Sequence, residues 1–352
     1  MNLDAILAKH GTPHARVLEI PNDAALPGCA LLRQEKLRNE ALSGWLKQWL
    51  DPQAELLETT VVPWRYAPGK RCNFQIDLTI LPVPGAPVER RRVIGKLYAK
   101  DHGAEVYRML QDFRSHGFAG NHFLVPQPLA YDPNWKLLLL SYAEGELLRS
   151  FLLEGAGSHW RMEEAANWLL ALHRSGVTKG RIYTFLSHLE TLVSMKARLT
   201  TVWPESDERL ASILRRIAER GEALSGWSPG PTHRDYSPDH LIFSGGHVTG
   251  IDFDEFRQYD PLFDVAHFMG HLRLLSRLQG RDMARFDGLG EIFQAAYRAG
   301  ARDYSEERVR FYHAVVYFKL AHIMAVVIRP PNWKEATEEF LGGAEKMLDQ
   351  HS

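Results

Sequence analysis

Cysteine is scarce in this sequence. Two in 352 residues, Cys29 and Cys72, exclude a dense disulfide framework and suit a reducing compartment, so the expectation is a cytoplasmic protein. A single bridge between the two stays open. Charge of one sign is also lacking: 42 Lys and Arg against 43 Asp and Glu leave a net −1, so bulk charge points neither to nucleic acid nor to a membrane surface. The longest unbroken apolar runs, such as Leu137–Leu140, fall far short of a bilayer span. The opening MNLDAILAKHG has no basic stretch followed by an apolar core, so no signal peptide is read there. No internal repeat or low-complexity tract is present. What remains is a globular composition, 45% hydrophobic and 24% charged, in a chain long enough for two sizeable cores.

The most informative stretch is Thr232 to Ala266, THRDYSPDHLIFSGGHVTGIDFDEFRQYDPLFDVA. His233-Arg234-Asp235 opens it. Leu241-Ile242-Phe243 and Val248 to Ile251 read as two short strands joined by the Gly245-Gly246 turn signal. Asp252 follows the second strand directly. A tight turn thus brings together two carboxylates, Asp235 and Asp252, each next to a short strand. Asp260-Pro261-Leu262-Phe263-Asp264-Val265-Ala266 closes the stretch.

This arrangement resembles the aminoglycoside phosphotransferase and choline kinase group, the small-molecule branch of the protein-kinase-like fold. The family pattern is H-x-D-x-x-x-x-N, then I-D-[FW], then D-P-x-x-D-[LV]-A. It is matched by His233 and Asp235, by Ile251-Asp252-Phe253, and by Asp260 to Ala266. The resemblance implies that Asp235 accepts or orients the proton of the attacking hydroxyl and that Asp252 holds Mg²⁺. It also implies that His233, Asp260 and Asp264 are structural, Asp264 bracing the catalytic loop. The one departure is His240, where the family has Asn. An imidazole nitrogen suits Mn²⁺ or Zn²⁺ better than Mg²⁺. Three outcomes are open: one cation held through Asp252, an oxygen supplied by Asp239 or water, or a catalytically silent nucleotide-binding protein. Asp254 is either a second metal ligand, sharing Asp252's side of an extended segment, or the cap of the next turn. A protein kinase is disfavoured, because no D-F-G and A-P-E pair stands at the expected places.

Upstream, Leu42, Trp45, Leu46, Trp49 and Leu50 form an apolar stripe at helical spacing, and Leu3, Ile6 and Leu7 share an earlier helical face. Thr59 to Arg65 and Cys72 to Leu81 read as strands around a Tyr66-Ala67-Pro68-Gly69-Lys70-Arg71 turn, and Val93 to Tyr98 reads as a third strand with Lys96 inside it. A lysine on an apolar strand needs a partner. The resemblance implies that Lys96 contacts the α/β-phosphates and pairs with Glu105 on the next helix; the alternative is an edge lysine facing solvent. Lys100 is the rival lysine, and Arg108 or Arg114 could compete for Glu105. The resemblance further implies that the turn offers the phosphates its backbone N–H groups at Gly69, with Lys70 and Arg71 as counter-charge. The backbone of Ser141 and Tyr142, in the hinge, would hold the adenine edge.

Beyond Leu147 the pattern is helical. Trp168, Leu169, Leu172 and His173 share a stripe, with His173 read as a packed structural residue. Leu189–Leu199 and Arg209–Leu224 flank Trp203-Pro204, and the chain closes with His267–Leu278, Glu306–Arg329 stopped by Pro330-Pro331, and Trp333–Leu348. His267, His271, Arg273 and Arg277 make the helix after Asp264 basic, with Arg281 and Arg285 beyond it. That fits a neutral, carboxylate- or phosphate-bearing hydroxyl compound better than a polycation, unless it is only a solvated face.

The expectation is an α+β, bilobal protein-kinase-like fold. An antiparallel-sheet N-lobe with a helical extension spans 1–140, a hinge 141–146, and a mainly helical C-lobe 147–352. Its cofactors would be ATP and Mg²⁺, with Mn²⁺ as the option, and its partner a small hydroxyl substrate, with oligomeric state open.

Overall fold

A computed structural model describes residues 19–350, apart from 121, 156 and 225. The expected helical face at Leu3, Ile6 and Leu7 lies outside the described residues. The chain divides into two units. One runs through Ala119 and takes up Leu124–Glu144; the other holds Gly120–Phe123 and everything from Gly145.

In the first unit, helices α1 (Gly28–Arg33) and α2 (Glu35–Trp49) precede strands β1 (Glu55–Ala67), β2 (Arg71–Leu81) and β3 (Glu89–Tyr98). Helix α3 (His102–Ser115) follows; then, after the short β4 (Phe123–Leu124), come β5 (Pro128–Asp132) and β6 (Leu137–Ser141). The five-stranded sheet has the order β1-β2-β3-β6-β5, antiparallel throughout. Alternation sets its buried face: Cys72, Phe74, Ile76, Leu78 and Ile80 of β2 are all buried. The stripe on α2 packs into the same cluster through Leu42 and Leu46, with Trp45, Trp49 and Leu50 at its margin. Cys29 and Cys72 are buried there as free thiols, not a bridge. Burial pushes them up to about 11 and about 12.

The second unit begins with β7 (Glu146–Leu147), α4 (Leu148–Glu154) and α5 (Ser158–His173). Helices α6 (Phe185–Val202) and α7 (Asp207–Ala223) are longer than the pattern suggested and are joined by a single 3₁₀ turn at Pro204–Ser206. Next come β8 (Gly230–Thr232), the hairpin β9 (Leu241–Ser244) and β10 (His247–Gly250), and β11 (Arg257–Tyr259), which pairs with β8. Gly245 and Gly246 both take positive φ (53° and 87°), as a two-residue hairpin turn requires. At the end of β10, a Cβ on Gly250 would stand 2.0 Å from the ring of Trp168, so only glycine lets the strand pass. Trp168 in turn stacks on Tyr236 at 5.6 Å and 8°.

The unit ends in α8 (Leu262–Gln279), α9 (Met283–Gly300), α10 (Glu306–His322) and α11 (Trp333–Asp349). A π-helical turn, Ile323–Ile328, extends α10 until Arg329 adopts a left-handed conformation just before the two prolines. Glu306–Ile328 corrects the expectation about apolar runs. It has 23 residues, and an 18-residue stretch within it has mean hydropathy 1.6, long and apolar enough to cross a bilayer, but 72% of that stretch is buried inside the protein. Scattered histidines and one lysine hid its length from a search for unbroken runs.

Candidate active site

The centre of the site is the loop from His233 to His240. His233 and its neighbour are fixed from behind by Asp264, at the start of α8. Asp264 Oδ2 accepts the His233 backbone N–H and Oδ1 that of Arg234, each at 2.7 Å. Asp264 is fully buried. It also accepts from His173 Nε2 (3.1 Å), whose other nitrogen lies 2.8 Å from the Tyr297 hydroxyl. His233 Nε2 donates to the Ile251 carbonyl at 3.0 Å, tying the loop to the residue before Asp252. Two non-glycine residues here, Arg234 (φ 65°) and Asp252 (φ 63°), lie in the left-handed region. Such conformations cost on the order of 1 kcal/mol or more each and persist where surrounding contacts over-determine them.

Asp235, Asp252 and His240 are brought together. The Asp235 carbonyl lies 2.5 Å from His240 Nδ1. A carbonyl only accepts, so Nδ1 carries the proton and the neutral ring keeps its lone pair on Nε2. Nε2 is 3.8 Å from Asp252 Oδ2, while Nδ1 is 3.8 Å from Asp235 Oδ2. Burial lowers the His240 pKa, but the Asp235 and Asp252 carboxylates outweigh it and hold the imidazole above its ordinary value. Of the two oxygens that Asp239 might have offered a cation, Oδ1 accepts from Arg149 at 2.7 Å. Nor does Asp254 share Asp252's side by strand alternation. Asp252 is left-handed and 253–255 is a 3₁₀ turn, so the segment is not extended, and Asp254 is a buried residue of that turn.

Asp235 keeps 34% of its side chain exposed. Burial pushes its carboxyl up, but His240 and Lys319 overcome this and leave it below the ordinary carboxylate range. Sequence reasoning missed Lys319. It comes from α10, and its Nζ stands 3.0 Å from His267 Nε2, which is itself 3.7 Å from Asp235 Oδ1. His267 Nδ1 donates to the Tyr236 carbonyl (2.9 Å), so Nε2 is the accepting nitrogen. Burial and then Lys319 keep His267 neutral, well below its usual value. His271 stacks on it at 4.2 Å, with a buried Nε2 that has no partner, and burial pushes it down to about 4. The signal for Lys319 was present in the sequence: one lysine in the apolar C-terminal half of its helix demands a polar neighbour.

The basic helix face is not solvated charge. His267 is buried and neutral, and Arg273 and Arg277 are answered by Glu339 and Glu335 of α11 at 3.1–3.3 Å. Arg285 donates to the Leu152 carbonyl at 2.9 Å.

In the first unit, Lys96 is 6% exposed, between Asn73 and Leu138 in register, so the solvent-facing alternative fails. Lys100 lies beyond the strand and is exposed. Glu105 sits in the first turn of α3, 3.7 Å from His102 Nδ1. Its expected competitors are committed to backbone carbonyls, Arg108 to Ala104 and Arg114 to Val125. Gly69 requires correction. Its N–H donates to Asp23 Oδ2 at 2.7 Å, and Tyr66 donates to the same oxygen, so a carboxylate already fills the turn. The Gly69 hydrogen bond is the first reason that Asp23 titrates low. Arg71 pairs with Ala67 across this turn and is half-buried. The Ser141 N–H, expected to face adenine, donates instead to the Gln127 carbonyl at 2.8 Å. Tyr142 lies under the Arg92 guanidinium at 4.8 Å.

With this geometry described, the sequence profile of the phosphotransferase enzyme family matches residues 88–312, more than half the chain. The chain belongs to the phosphotransferase enzyme family. Solved structures of the same fold include aminoglycoside phosphotransferase APH(4)-Ia, at 14% identity over 88% of this chain and 98% of that one, TM-score 0.57. A putative aminoglycoside phosphotransferase from Ralstonia eutropha JMP134 matches at 16% identity over 88% and 97%, TM-score 0.55. Amicoumacin kinase hAmiN, solved with AMP-PNP, Ca²⁺ and its antibiotic, matches at 12% identity over 90% and 94%, TM-score 0.57. No curated protein sequence matches this chain. The α+β, protein-kinase-like fold is thereby established for this phosphotransferase, with its antiparallel-sheet N-terminal part and mainly helical C-terminal part.

Proposed function

We propose that the protein is an ATP-dependent kinase that moves the γ-phosphate onto the hydroxyl of a small molecule. The observation that carries this reading is the convergence on one imidazole: His240 stands 3.8 Å from Asp235 through one nitrogen and 3.8 Å from Asp252 through the other. Phosphoryl transfer asks a protein mainly for positioning and for charge neutralisation. Asp235, kept ionised by its neighbours, accepts the proton of the attacking hydroxyl. Asp252 and His240 Nε2 form a donor pair that fits a divalent cation, and a bound cation would neutralise charge on the β- and γ-phosphates. Lys96, paired with Glu105, holds the α/β-phosphates.

Lys319 and His271 bear on the acceptor. Asp235, His267 and His271 offer ligand atoms within 4.8 Å of one another. A cation there would compete with the Lys319 ammonium for His267, so this cluster is better suited to substrate oxygens. A polycationic acceptor would meet Lys319 beside the base. Neutral, carboxylate- or phosphate-bearing alcohols suit it, in place of the argument from the helix arginines. APH(4)-Ia and amicoumacin kinase are named for antibiotics, and antibiotics therefore belong among the candidates.

A second reading, a silent nucleotide-binding protein, draws on His240 itself, an imidazole held above its ordinary pKa by two carboxylates where the family has a neutral Asn. One experiment separates the two. Thermal shift with ATP and Mg²⁺ or Mn²⁺ is followed by ADP release across a panel of hydroxylated metabolites and antibiotics. Acceptor-dependent ADP release supports the kinase, and nucleotide binding without it supports the silent protein. Absence of any nucleotide binding defeats both.

A further inference from the structure

A cavity of about 680 Å³ lies within the second unit, where the ends of α5 and α9 meet the starts of α8 and α10. Asp235, His240, Asp252 and Lys319 take no part in its lining. Its volume falls within the range of small-molecule sites, roughly 300–1,000 Å³. Leu170, Leu262 and Ala301 supply apolar wall. Trp227, half-buried and edge-on to Tyr259 at 5.6 Å and 73°, adds aromatic surface. The charges on the lining differ in how they are answered. Arg308 is buried and neutralised: Nη1 donates to both oxygens of buried Asp260 at 3.1 Å, and Nη2 donates to the Asp303 carbonyl. Arg174 and Arg302 are exposed, and among the described residues neither guanidinium has a hydrogen bond or an ion pair. The Asp303 carboxylate is unpaired in the same sense. Two open cations against one open carboxylate leave the cavity with a single positive charge.

His173 and Tyr297 also line the cavity, and they connect it to the loop that holds Asp235. His173 Nε2 donates to Asp264 Oδ2 at 3.1 Å, so the neutral ring accepts at Nδ1 from the Tyr297 hydroxyl at 2.8 Å. Burial raises the Tyr297 pKa, which keeps that proton in place. Asp264 then holds the backbone N–H groups of His233 and Arg234 at 2.7 Å each. Arg234 stands at φ 65°, a conformation that persists only while its contacts hold. A ligand that moves Tyr297 or His173 thus bears on a segment with a less strained alternative.

We propose that this cavity is an effector site for a small organic monoanion with a flat apolar body, an aromatic carboxylate, whose charge Arg174 and Arg302 meet and whose binding reaches His233 and Arg234 through Tyr297, His173 and Asp264. A carboxylate complements one positive charge. Inorganic phosphate has no body for Trp227 and the leucines to cover. The coupling is reciprocal, so whatever orders the loop also changes affinity at the cavity. The site goes beyond the kinase reading and does not depend on it.

The test uses the full chain without nucleotide. The probe is cinnamate, with cinnamamide as its uncharged counterpart and inorganic phosphate as charge without the body. Calorimetry should show saturable binding of cinnamate, tighter than either control. In the double variant Arg174→Gln/Arg302→Gln affinity should fall about tenfold or more, the scale of lost charge-assisted hydrogen bonds, with an unchanged urea midpoint. Cinnamate should change amide hydrogen exchange over residues 233–236 in the wild type. In Tyr297→Phe it should still bind, and that change should largely vanish. Absence of saturable cinnamate binding, or equal affinity in the wild type and the double variant, overturns the site. Cinnamamide or phosphate binding as tightly as cinnamate overturns the ligand class. Binding that leaves loop exchange unaltered, or an undiminished change in Tyr297→Phe, overturns the route to the loop.

Discussion

Lys319 Nζ lies 3.0 Å from Nε2 of His267, and through that neutral ring its charge is set beside Asp235. Its positive charge helps hold the Asp235 carboxyl down. Lys319→Met should therefore raise the Asp235 pKa and move the acid limb of the pH–rate profile to higher pH. Turnover should also fall, on the order of tenfold. The profile, measured on the best acceptor from the panel, separates this role from packing alone, which would lower the rate without moving the limb.

Asp235→Ala removes the group assigned to the incoming hydroxyl. Phosphate transfer should drop by about a hundredfold or more, the usual scale for a general base. Nucleotide affinity should hardly change, because Asp235 is not assigned to the triphosphate. Unchanged turnover in a folded variant would strip Asp235 of its role.

Asp264→Asn keeps the shape but puts an amide NH₂ against one of the two backbone N–H donors that Asp264 now accepts. An unsatisfied buried donor costs about 1–3 kcal/mol. A lower unfolding midpoint in urea is expected, and the strained Arg234 backbone should relax, so activity should fall further than stability alone explains. Equal wild-type and variant midpoints would contradict this account.

Acid should destabilise the fold early. Burial first of all pushes His188 down to about 3 and His313 and His322 down to about 4. In the unfolded chain a histidine titrates near 6.5, so between that value and about 4 the unfolded state binds protons that the folded state refuses. Their contribution is therefore complete above about pH 6.5 and lost as pH falls toward 4, or toward 3 for His188, roughly 3 kcal/mol each for His313 and His322 and more for His188. Urea midpoints at pH 7.5 and 5 should differ markedly, and His313→Gln should narrow the gap.

Much of the site could be read from the sequence because its parts are close in the chain. His233, Asp235, His240, Asp252 and Asp264 span 32 residues, and short strands and a glycine turn fix their order in space. The strand pattern of Cys72 to Leu81 was legible for the same reason, since local alternation sets the face, whereas the side to which Lys96 turns was left open. What could not be read depended on long-range packing. Lys319 reaches Asp235 from a helix more than eighty residues later. Asp23 occupies the Gly69 turn from a segment forty-six residues earlier. The arginines of α8 looked exposed until α11 supplied their glutamates. For Asp254 alternation fails for a local reason, a left-handed residue at Asp252, and the turn alternative fits its place in the 3₁₀ turn.

Gly250 carries a consequence for anyone scanning this chain by mutation. It has no side chain and is assigned no part in the chemistry, yet its missing Cβ is the space that Trp168 fills, and Trp168 is the floor on which Tyr236 of the catalytic loop rests. A single added methyl there would tilt the loop through two stacked rings. Position 250 would then score as indispensable for turnover, and the residue that sets that score would be a tryptophan eighty-two positions away.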